Sequence, residues 1–251
     1  MSAKPSSRVK DDVNIPFINT DQMREVDRAM IEDYGISLVQ MMENAGRNLA
    51  QLARSRFLNS CATGRRVLVL AGAGGNGGGG MACARRLHNW GATVQVTLTA
   101  PRNELAGVPL QQLEILNNMS VPFATADESS GLPPSDLVID AMIGYGLTGP
   151  PRGVSATLID DANSQGAPIL ALDVPSGVDS ATGEAGGAAI RATATLTLAM
   201  PKSGFRAESA KHYIGELYLA DIGVPPELYS RPPLSLNVGN VFAEDEIVRL
   251  W

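Results

Sequence analysis

Apolar side chains recur along this chain at two spacings, one typical of helices and the other typical of strands. In residues 20–30 and 37–52 they recur every three or four positions, which predicts two amphipathic helices at the N-terminal end of the fold. Thr20 or Asp21 is the expected N-cap of the first helix, because either side chain can accept a hydrogen bond from its first turn. We expect these two helices to form a cap on the rest of the fold.

Short apolar runs follow, separated by helical stretches and by glycine or proline. Strands are predicted at residues 67–70, 93–98, 137–139, 169–172, 194–199 and 217–220, and helices after residue 81 and at residues 110–118 and 156–164. Strands that alternate with helices are typical of a parallel sheet with helices on both faces. The pattern therefore predicts an α/β fold.

A glycine-rich segment joins the first predicted strand to the helix after it. The segment reads GAGGNGGGG from Gly72 to Gly80, so Asn76 is the one polar side chain that it offers. A cluster of glycine is costly in a folded loop, and it indicates left-handed backbone or a ligand that touches the main chain. Because the segment leads into a helix N-terminus, we expect it to bind an anion.

Charge and cysteine content narrow the class of protein. The chain carries 26 acidic and 20 basic residues, a net charge of -6, which argues against a nucleic-acid-binding groove. Its two cysteines provide neither a disulfide framework nor the spacing of a metal site. Its apolar stretches are shorter than the roughly 20 residues of a membrane span, so we expect a cytoplasmic protein. Residues 1–14 are expected to be a disordered leader before a single domain at residues 15–251.

Three of the predicted strands end in polar motifs that contain glycine. These are the segment from Gly72, the stretch DAMIGYGLTGP from Asp140 and the stretch DVPSGVDSATG from Asp173. Ligands bind outside the carboxyl ends of parallel strands, near the point where the strand order reverses. The pattern therefore predicts one crevice, although an aspartate at a strand end also often caps the next helix or turn. The residues it would gather are Asn76, Asp140, Asp173 and Ser176.

Two other phosphate-binding motifs are similar to the glycine segment. Gly72, Gly74 and Gly77 satisfy the dinucleotide fingerprint G-x-G-x-x-G. That fingerprint expects an acidic residue about 20 positions later, where this chain reads TLTAPR, although Arg102 could contact a 2′-phosphate. A Rossmann oxidoreductase is therefore the less favoured interpretation. A Walker-type loop is excluded, because no Lys-Ser or Lys-Thr pair follows the glycines.

Several separated motifs, in this order, resemble the NAD(P)H-hydrate epimerase family, also called the YjeF N-terminal domain or apolipoprotein A-I binding protein family. They are QMMENAGR at residues 40–47, the glycine segment, DAMIGYGL at residues 140–147, DVPSGVD at residues 173–179, MPKSGF at residues 200–205 and GELYLADIGVP at residues 215–225. The resemblance implies a Rossmann-like three-layer α/β/α fold with a mostly parallel sheet. It also implies an isomerase of metabolite repair, which interconverts the R and S forms of hydrated NADH and NADPH (NADHX and NADPHX).

The resemblance further implies which residues bind ligands. A potassium ion would lie on Asn76, Asp140 and Ser176, whose oxygen atoms suit a hard cation. The phosphates and the nicotinamide ribose of the substrate would lie against Gly75, Asn76, Gly77, Gly78, Gly79, Gly144, Tyr145, Gly146, Leu147, Thr148, Gly149, Pro150 and Asp173. Members of the family often form homodimers, and they act with a linked or separate NAD(P)HX dehydratase.

Epimerisation at the hydrated C6 atom breaks and remakes its bond to the hydroxyl group, through ring opening or a dehydrated cation. Either path needs proton transfer. We expect Asp173 to be the acid/base or cation-stabilising group. Lys202 could approach the same edge, but a solvated lysine is the favoured interpretation. Relatives usually carry Asn and Asp where this chain has Gly75 and Gly79. That departure motivates an alternative function: a catalytically impaired module of the same fold that binds a nucleotide or a protein.

Overall fold

The computed structural model describes residues 15–126 and 131–251, so the expected leader, residues 1–14, lies outside the described residues. In chain order the elements are α1 (Thr20–Glu32), α2 (Leu38–Leu52), β1 (Arg66–Ala71), α3 (Gly75–Asn89), β2 (Thr93–Leu98), α4 (Gly107–Asn118), β3 (Phe123–Thr125), β4 (Leu137–Ala141), α5 (Val154–Ser164), β5 (Ile169–Leu172), β6 (Ala194–Leu198), α6 (Lys211–Ile214), β7 (Glu216–Ala220), α7 (Pro226–Ser230) and β8 (Ile247–Arg249). Within these described ranges, no helix has the length and apolar character needed to cross a membrane.

The strands form a single sheet of eight, in the order β3-β2-β1-β4-β5-β6-β7-β8. Neighbouring strands are parallel, except that β8 runs antiparallel to β7. Leu70 of β1 lies beside Asp140 of β4, which lies beside Ala171 of β5, so these three strands end at the same edge. The strand order reverses between β1 and β4, and a crevice forms at such a point. The predicted, mostly parallel α/β fold is confirmed.

Helices cover both faces of the sheet. Val67 and Val69 of β1 belong to the same buried cluster as Leu87 of α3, whereas Leu68 belongs to a cluster with Ile159 of α5. Successive side chains of a strand point to opposite faces, so each layer of helices receives every second residue. Because both faces are buried, β1 has a nearly continuous apolar sequence. The three-layer α/β/α arrangement is therefore present.

The first helix is capped by Asn19, so the expectation of Thr20 or Asp21 as N-cap was wrong. The Asn19 side chain accepts a hydrogen bond from the backbone N–H of Gln22 at 2.8 Å, and the Gln22 side chain accepts one from the N–H of Asn19 at 3.0 Å. This capping box satisfies two N–H groups that the helix itself leaves unpaired. Thr20 instead contacts a distant residue, Ser180, with 3.1 Å between the two hydroxyl oxygens.

The predicted cap of α1 and α2 is confirmed, and it is fixed on later parts of the chain. Apolar side chains of both helices form a buried cluster with β7 and α7, which includes Met23, Val26, Met30, Met41, Leu219 and Tyr229. Directly before α1, Ile18 forms a β-bridge with Lys202, and its N–H donates to the carbonyl of Pro201 at 2.9 Å. These contacts place the cap beside the carboxyl ends of the strands.

The structure adds two short strands that the pattern did not predict. These are β3 and β8, with three residues each, at the two edges of the sheet. Asp140 also lies inside β4 rather than after it, as the fourth of five residues. At the β8 edge, the Trp251 indole donates a hydrogen bond to the carbonyl of Gly215 at 3.0 Å. Three residues are too few to establish a period of two, which explains why these strands were missed.

Candidate functional site

A cavity of about 530 Å³ lies at the carboxyl edge of the sheet, next to the reversal of strand order. Its lining combines strand ends, the N-terminus of α3 and side chains of α1 and α2. Of the four residues expected in the crevice, Asn76 and Asp173 line the cavity, whereas Asp140 and Ser176 are buried and are not among the lining residues. The wall is mainly apolar with a few polar groups, which is typical of a small-molecule site.

Most of the glycine segment belongs to a helix rather than to a loop. α3 begins at Gly75, and none of the glycines from Gly72 to Gly80 has a positive φ, so left-handed backbone does not explain them. Close packing does, because a Cβ at Gly77 would lie 1.8 Å from the carbonyl oxygen of Gly72, and one at Gly80 would lie 2.4 Å from the Cβ of Ala141. The glycines thus let the N-terminus of α3 approach the strands, where its unpaired N–H groups favour an anion.

Asn76 lies in the first turn of α3 and lines the cavity. A Cβ placed on Gly144 would lie 3.3 Å from Asn76 Oδ1 and 3.2 Å from Asp173 Oδ2, so both side chains flank this glycine. The Asn76 Nδ2 atom is buried and has no hydrogen-bond partner among the described residues. Because a buried amide without a partner is rare and costly, the Asn76 side chain is a group that a ligand would complete.

Asp140 and Ser176 form a buried pair beneath the cavity. Asp140 Oδ2 accepts a hydrogen bond from the Ser176 N–H at 2.8 Å, and Asp140 Oδ1 accepts one from the Ser176 hydroxyl at 2.6 Å. The Ser176 oxygen in turn accepts from the N–H of Ile143 at 2.9 Å. Burial raises the pKa of Asp140 to about 6, and the bonds from Ser176 oppose that rise. Ser176 is therefore a partner of a buried carboxyl group and not only a turn residue.

Asp173 forms a buried ion pair with Lys202, so the expectation of a solvated lysine was wrong. Asp173 Oδ1 and Lys202 Nζ are 2.7 Å apart, and the lysine side chain is 1% exposed. The ammonium group also donates to the carbonyls of Leu198 and Met200, both at 2.9 Å. These neutral acceptors and the carboxylate together replace the water that a lysine normally keeps. Lys202 thus belongs to the site.

The backbone turns sharply where β5 ends, and this turn sets the position of Asp173. Asp173 has a φ of 68°, and the N–H of Val174 donates to the carbonyl of Leu172 at 2.9 Å. A non-glycine residue in the left-handed region is uncommon and strained, and such residues cluster at functional sites. The Asp173 carboxylate also accepts hydrogen bonds from the backbone N–H groups of Tyr145, at 3.1 Å, and Leu198, at 3.3 Å.

A second carboxyl group, that of Asp27 in α1, also lines the cavity. The Tyr145 hydroxyl donates a short hydrogen bond to Asp27 Oδ2. Burial raises the pKa of Asp27, whereas the hydrogen bond from Tyr145 lowers it. Sequence analysis did not select this residue. The available signal was its position directly after Val26 and one turn after Met23, on the apolar side of α1.

The other residues that the resemblance implies fall into three groups. Those that line the cavity are Gly75, Gly79, Gly144, Tyr145 and Gly146. Gly77 and Gly78 are buried below it, and a Cβ at Gly78 would lie 2.4 Å from the sulfur of Met42. The remaining residues, Leu147, Thr148, Gly149 and Pro150, are not among the lining residues and continue from Gly146 along the partly exposed surface.

Comparison with known proteins identifies similar chains. The model of the family described as YjeF-related protein N-terminus matches residues 38–204. A protein of Dehalogenimonas lykanthroporepellens named NAD(P)H-hydrate epimerase is 44% identical over 93% of this chain and 92% of its own length. A protein of Moorella thermoacetica named bifunctional NAD(P)H-hydrate repair enzyme is 35% identical over 84% of this chain and 41% of its own length. The crystal structure of yeast ynu0 covers 94% of this chain and 100% of its own, with a TM-score of 0.78 and 26% identity.

Proposed function

Because this chain belongs to the YjeF-related protein N-terminus family, we infer that it is an NAD(P)H-hydrate epimerase, which interconverts the R and S forms of hydrated NADH and NADPH. The observation that carries this conclusion is the 44% identity with a protein named NAD(P)H-hydrate epimerase, over more than nine tenths of both chains. The relation therefore extends through all the elements that build the cavity, from α1 to β7.

We propose that the anionic groups of the substrate lie at the N-terminus of α3. The helix dipole and the unpaired N–H groups favour phosphate there. The nicotinamide ring would then lie toward Asp173, whose carboxylate is held by Lys202 and by two backbone N–H groups. A carboxylate fixed in this way can take a proton from the reacting hydroxyl or water and return it.

We also propose a potassium ion on Asn76, Asp140 and Ser176. The donors fit, because all three residues offer oxygen atoms, and hard cations prefer oxygen. One observation supports the fit: the Asp140 carboxyl group is fully buried and has no ion pair among the described residues. When bound, the ion would supply positive charge next to Asp140 and beneath the cavity. Among the described residues, no cluster of His, Cys, Asp and Glu suits a transition metal.

The epimerase function is tested by supplying the R form of hydrated NADPH together with a dehydratase that accepts only the S form. We expect the purified chain to accelerate the recovery of NADPH absorbance far above the spontaneous rate. Asp173→Asn should lower kcat at least about 100-fold, the usual contribution of a general acid or base. Asp160→Asn, on the exposed surface of α5, is the matched control and should retain full activity. Recovery at the spontaneous rate with the unmodified chain would refute the function.

A second candidate function is a binding module with impaired catalysis. The packing at Gly79 supports this alternative. A Cβ at Gly79 would lie 2.9 Å from Cδ2 of Leu172, so an aspartate there would require Leu172 to move. A Cβ at Gly75 meets only Met42, at 3.6 Å, so an asparagine fits there. The double variant Gly75→Asn, Gly79→Asp separates the candidates. A large gain from an inactive parent would support the impaired module, and a parent that is already fast would exclude it.

We propose that the chain acts in the cytoplasm as a homodimer, together with a dehydratase that consumes the S form. The relative named a bifunctional repair enzyme supports such a pairing, because it combines a segment similar to this chain with further sequence. Light scattering coupled to size-exclusion chromatography tests the dimer. The measured mass should be twice the chain mass of 26.4 kDa.

A further inference from the structure

Asp27 is a second carboxyl group of the cavity, and the proposed function gives a catalytic role to Asp173 but none to Asp27. It lies in α1, next to residues whose apolar side chains enter the buried cluster with β7 and α7. A carboxyl group in such surroundings costs desolvation free energy, so its presence calls for a reason. Its contact with the cavity offers one.

Tyr145 binds both carboxyl groups of the cavity. Its backbone N–H donates to Asp173 Oδ2 at 3.1 Å, and its hydroxyl donates to Asp27 Oδ2. Its carbonyl accepts a hydrogen bond from the Ser180 hydroxyl at 3.1 Å, and that hydroxyl contacts Thr20, the first residue of α1. Tyr145 thus fixes α1 to the end of β5, and it holds the Asp27 and Asp173 carboxyl groups at defined positions relative to each other.

The two carboxyl groups differ in their electrostatic partners. Asp173 is paired with the buried ammonium group of Lys202. Asp27 forms no ion pair with the described basic residues; burial raises its pKa, the Tyr145 hydroxyl lowers it and the charge of Asp173 raises it. A site with one charge-paired carboxylate and one unpaired, partly buried carboxyl group can provide a base and an acid at the same pH.

We propose that Asp27 is a second catalytic residue of the epimerisation, which exchanges a proton with the C6 hydroxyl group while Asp173 serves the opposite step. The proposal rests on the proposed function. The proton of Asp27 moves to the hydroxyl oxygen, and the C6–O bond breaks with both electrons on that oxygen, so water leaves. The lone pair of N1 forms the N1–C6 π bond of a cation.

Water then adds to C6 from the other face and supplies both electrons of the new C6–O bond. Asp173 takes the proton that this water releases, and exchange with solvent returns the two groups to their starting protonation states. Bonds and charges balance without an oxidant or reductant. In the reverse direction the two carboxyl groups exchange roles, because the forward and reverse reactions share one path.

The charged and titratable groups around Asp27 define the expected pH dependence. They are Tyr145, Asp173, Lys202 and, in α7, Tyr229. Arg24, which also lines the cavity, acts on Tyr145. In the direction in which Asp27 must be protonated, the rate should fall as the pH rises through the pKa of Asp27. Removing the Tyr145 hydroxyl should move that fall to higher pH, because the hydroxyl stabilises the ionised carboxylate.

The test measures kcat and KM for the R form from pH 5 to 9, with the S-specific dehydratase in excess. Asp27→Asn should lower kcat about 100-fold with KM changed less than about threefold. Tyr145→Phe should lower kcat less and shift the alkaline limb of the profile upward. The matched control is Asp33→Asn, which alters an exposed aspartate directly after the same helix and should leave the profile unchanged.

Three results would overturn the proposal. In the first, the unmodified chain is active and Asp27→Asn retains its kcat, which leaves the epimerase function intact. In the second, both variants lose kcat equally and Tyr145→Phe keeps the unmodified pH profile, which would make the pair a structural tie. In the third, the unmodified chain itself gives no acceleration, and the proposed function fails with the inference. Circular dichroism and NADPH binding by fluorescence identify a variant that has merely unfolded.

Discussion

At the scale of single residues, the site depends on buried charges that hold one another. Lys202 brings a full positive charge to a position where its side chain is 1% exposed, and Asp173 beside it is 6% exposed. Removal of one member of such a pair leaves an uncompensated charge in the interior, which costs more than the pair itself contributes. Both the stability of the fold and the position of the Asp173 carboxylate in the cavity therefore depend on the ion pair with Lys202.

Lys202→Met should lower the free energy of unfolding by about 3–5 kcal/mol, because it leaves the Asp173 carboxylate without its partner. Chemical denaturation followed by circular dichroism measures the loss. Lys211→Met is the control, because that lysine side chain is 55% exposed and its substitution should change stability by less than about 1 kcal/mol. The double variant Lys202→Met, Asp173→Leu should recover part of the loss. A loss below about 1 kcal/mol in the single variant would contradict the assignment.

The site residues that the sequence predicted are those with a local signal. Asp140 and Asp173 were selected because apolar runs lead directly into them, and Asn76 because it interrupts a run of glycines. Lys202 has no such signal, because its burial depends on an aspartate 29 positions earlier and on carbonyls of its own turn. Asp27 depends in the same way on Tyr145, which lies 118 positions later. Contacts of this range cannot be read from periodicity.

At the scale of elements, α3 shows how tertiary packing overrides local preference. Glycine disfavours helices by about 1 kcal/mol per residue relative to alanine, which is why a loop was expected from Gly72 to Gly80. The helix nevertheless begins at Gly75. Its first turns lie so close to β1 and β4 that any side chain at Gly77 would overlap a backbone carbonyl. The packing of α3 against the sheet offsets the unfavourable helix propensity of its glycines.

Within α3, alanine can be compared at a tightly packed glycine, Gly77, and at a loosely packed one, Gly75. Gly77→Ala should destabilise the fold by about 3 kcal/mol, because its Cβ would lie 1.8 Å from the carbonyl oxygen of Gly72. Gly75→Ala should be neutral or stabilise by up to about 1 kcal/mol, because its Cβ has only a 3.6 Å contact with Met42 and alanine favours helix. Thermal unfolding of the two variants provides the measurement. Equal melting temperatures would rule out close packing as the reason for Gly77.

At the scale of the whole molecule, an ion-pair network ties the end of α2 to the far edge of the sheet. Arg56, in the turn that extends α2, donates two hydrogen bonds to Glu216 of β7, at 2.8 and 3.0 Å. Tyr218 donates a third to the same carboxylate, at 2.6 Å, and Arg249 of β8 lies 3.7 Å from it. These hydrogen bonds, led by that of Arg56, lower the pKa of Glu216 to about 2.

This network makes stability depend on pH in a defined window. A pKa that is lower in the folded state than its ordinary value of 4.5 stabilises the fold above pH 4.5, and the contribution is lost as the pH falls toward about 2. Glu216→Gln should therefore reduce the free energy of unfolding by about 1–2 kcal/mol at pH 7, allowing for the partial exposure of Arg56. The difference should shrink by more than half at pH 3. Urea denaturation at both pH values measures this difference, and the exposed Glu208→Gln is the control. A difference in the free energy of unfolding that grows at pH 3 would contradict the prediction.

The general architecture was predictable because a parallel sheet leaves a strong trace in sequence. The six longer strands were predicted at nearly their observed bounds, since strands buried on both faces are apolar throughout. The sheet order was expected only as a reversal beside the crevice, with no strand assigned to it, and the short edge strands β3 and β8 were missed. Edge strands of three residues are defined by the neighbour to which they bind, and their own composition carries too little information to reveal it.

The attachment of α1 also has a temporal consequence. Asp27 and Thr20 of α1 contact residues that lie 118 and 160 positions later in the chain. At ribosomal rates this interval is on the order of 10 s. α1 therefore cannot complete these contacts until the later residues have been synthesised. Closure of the cavity therefore needs residues as far apart as Met23 and Ile222, so ligand binding reports that these distant segments have come together.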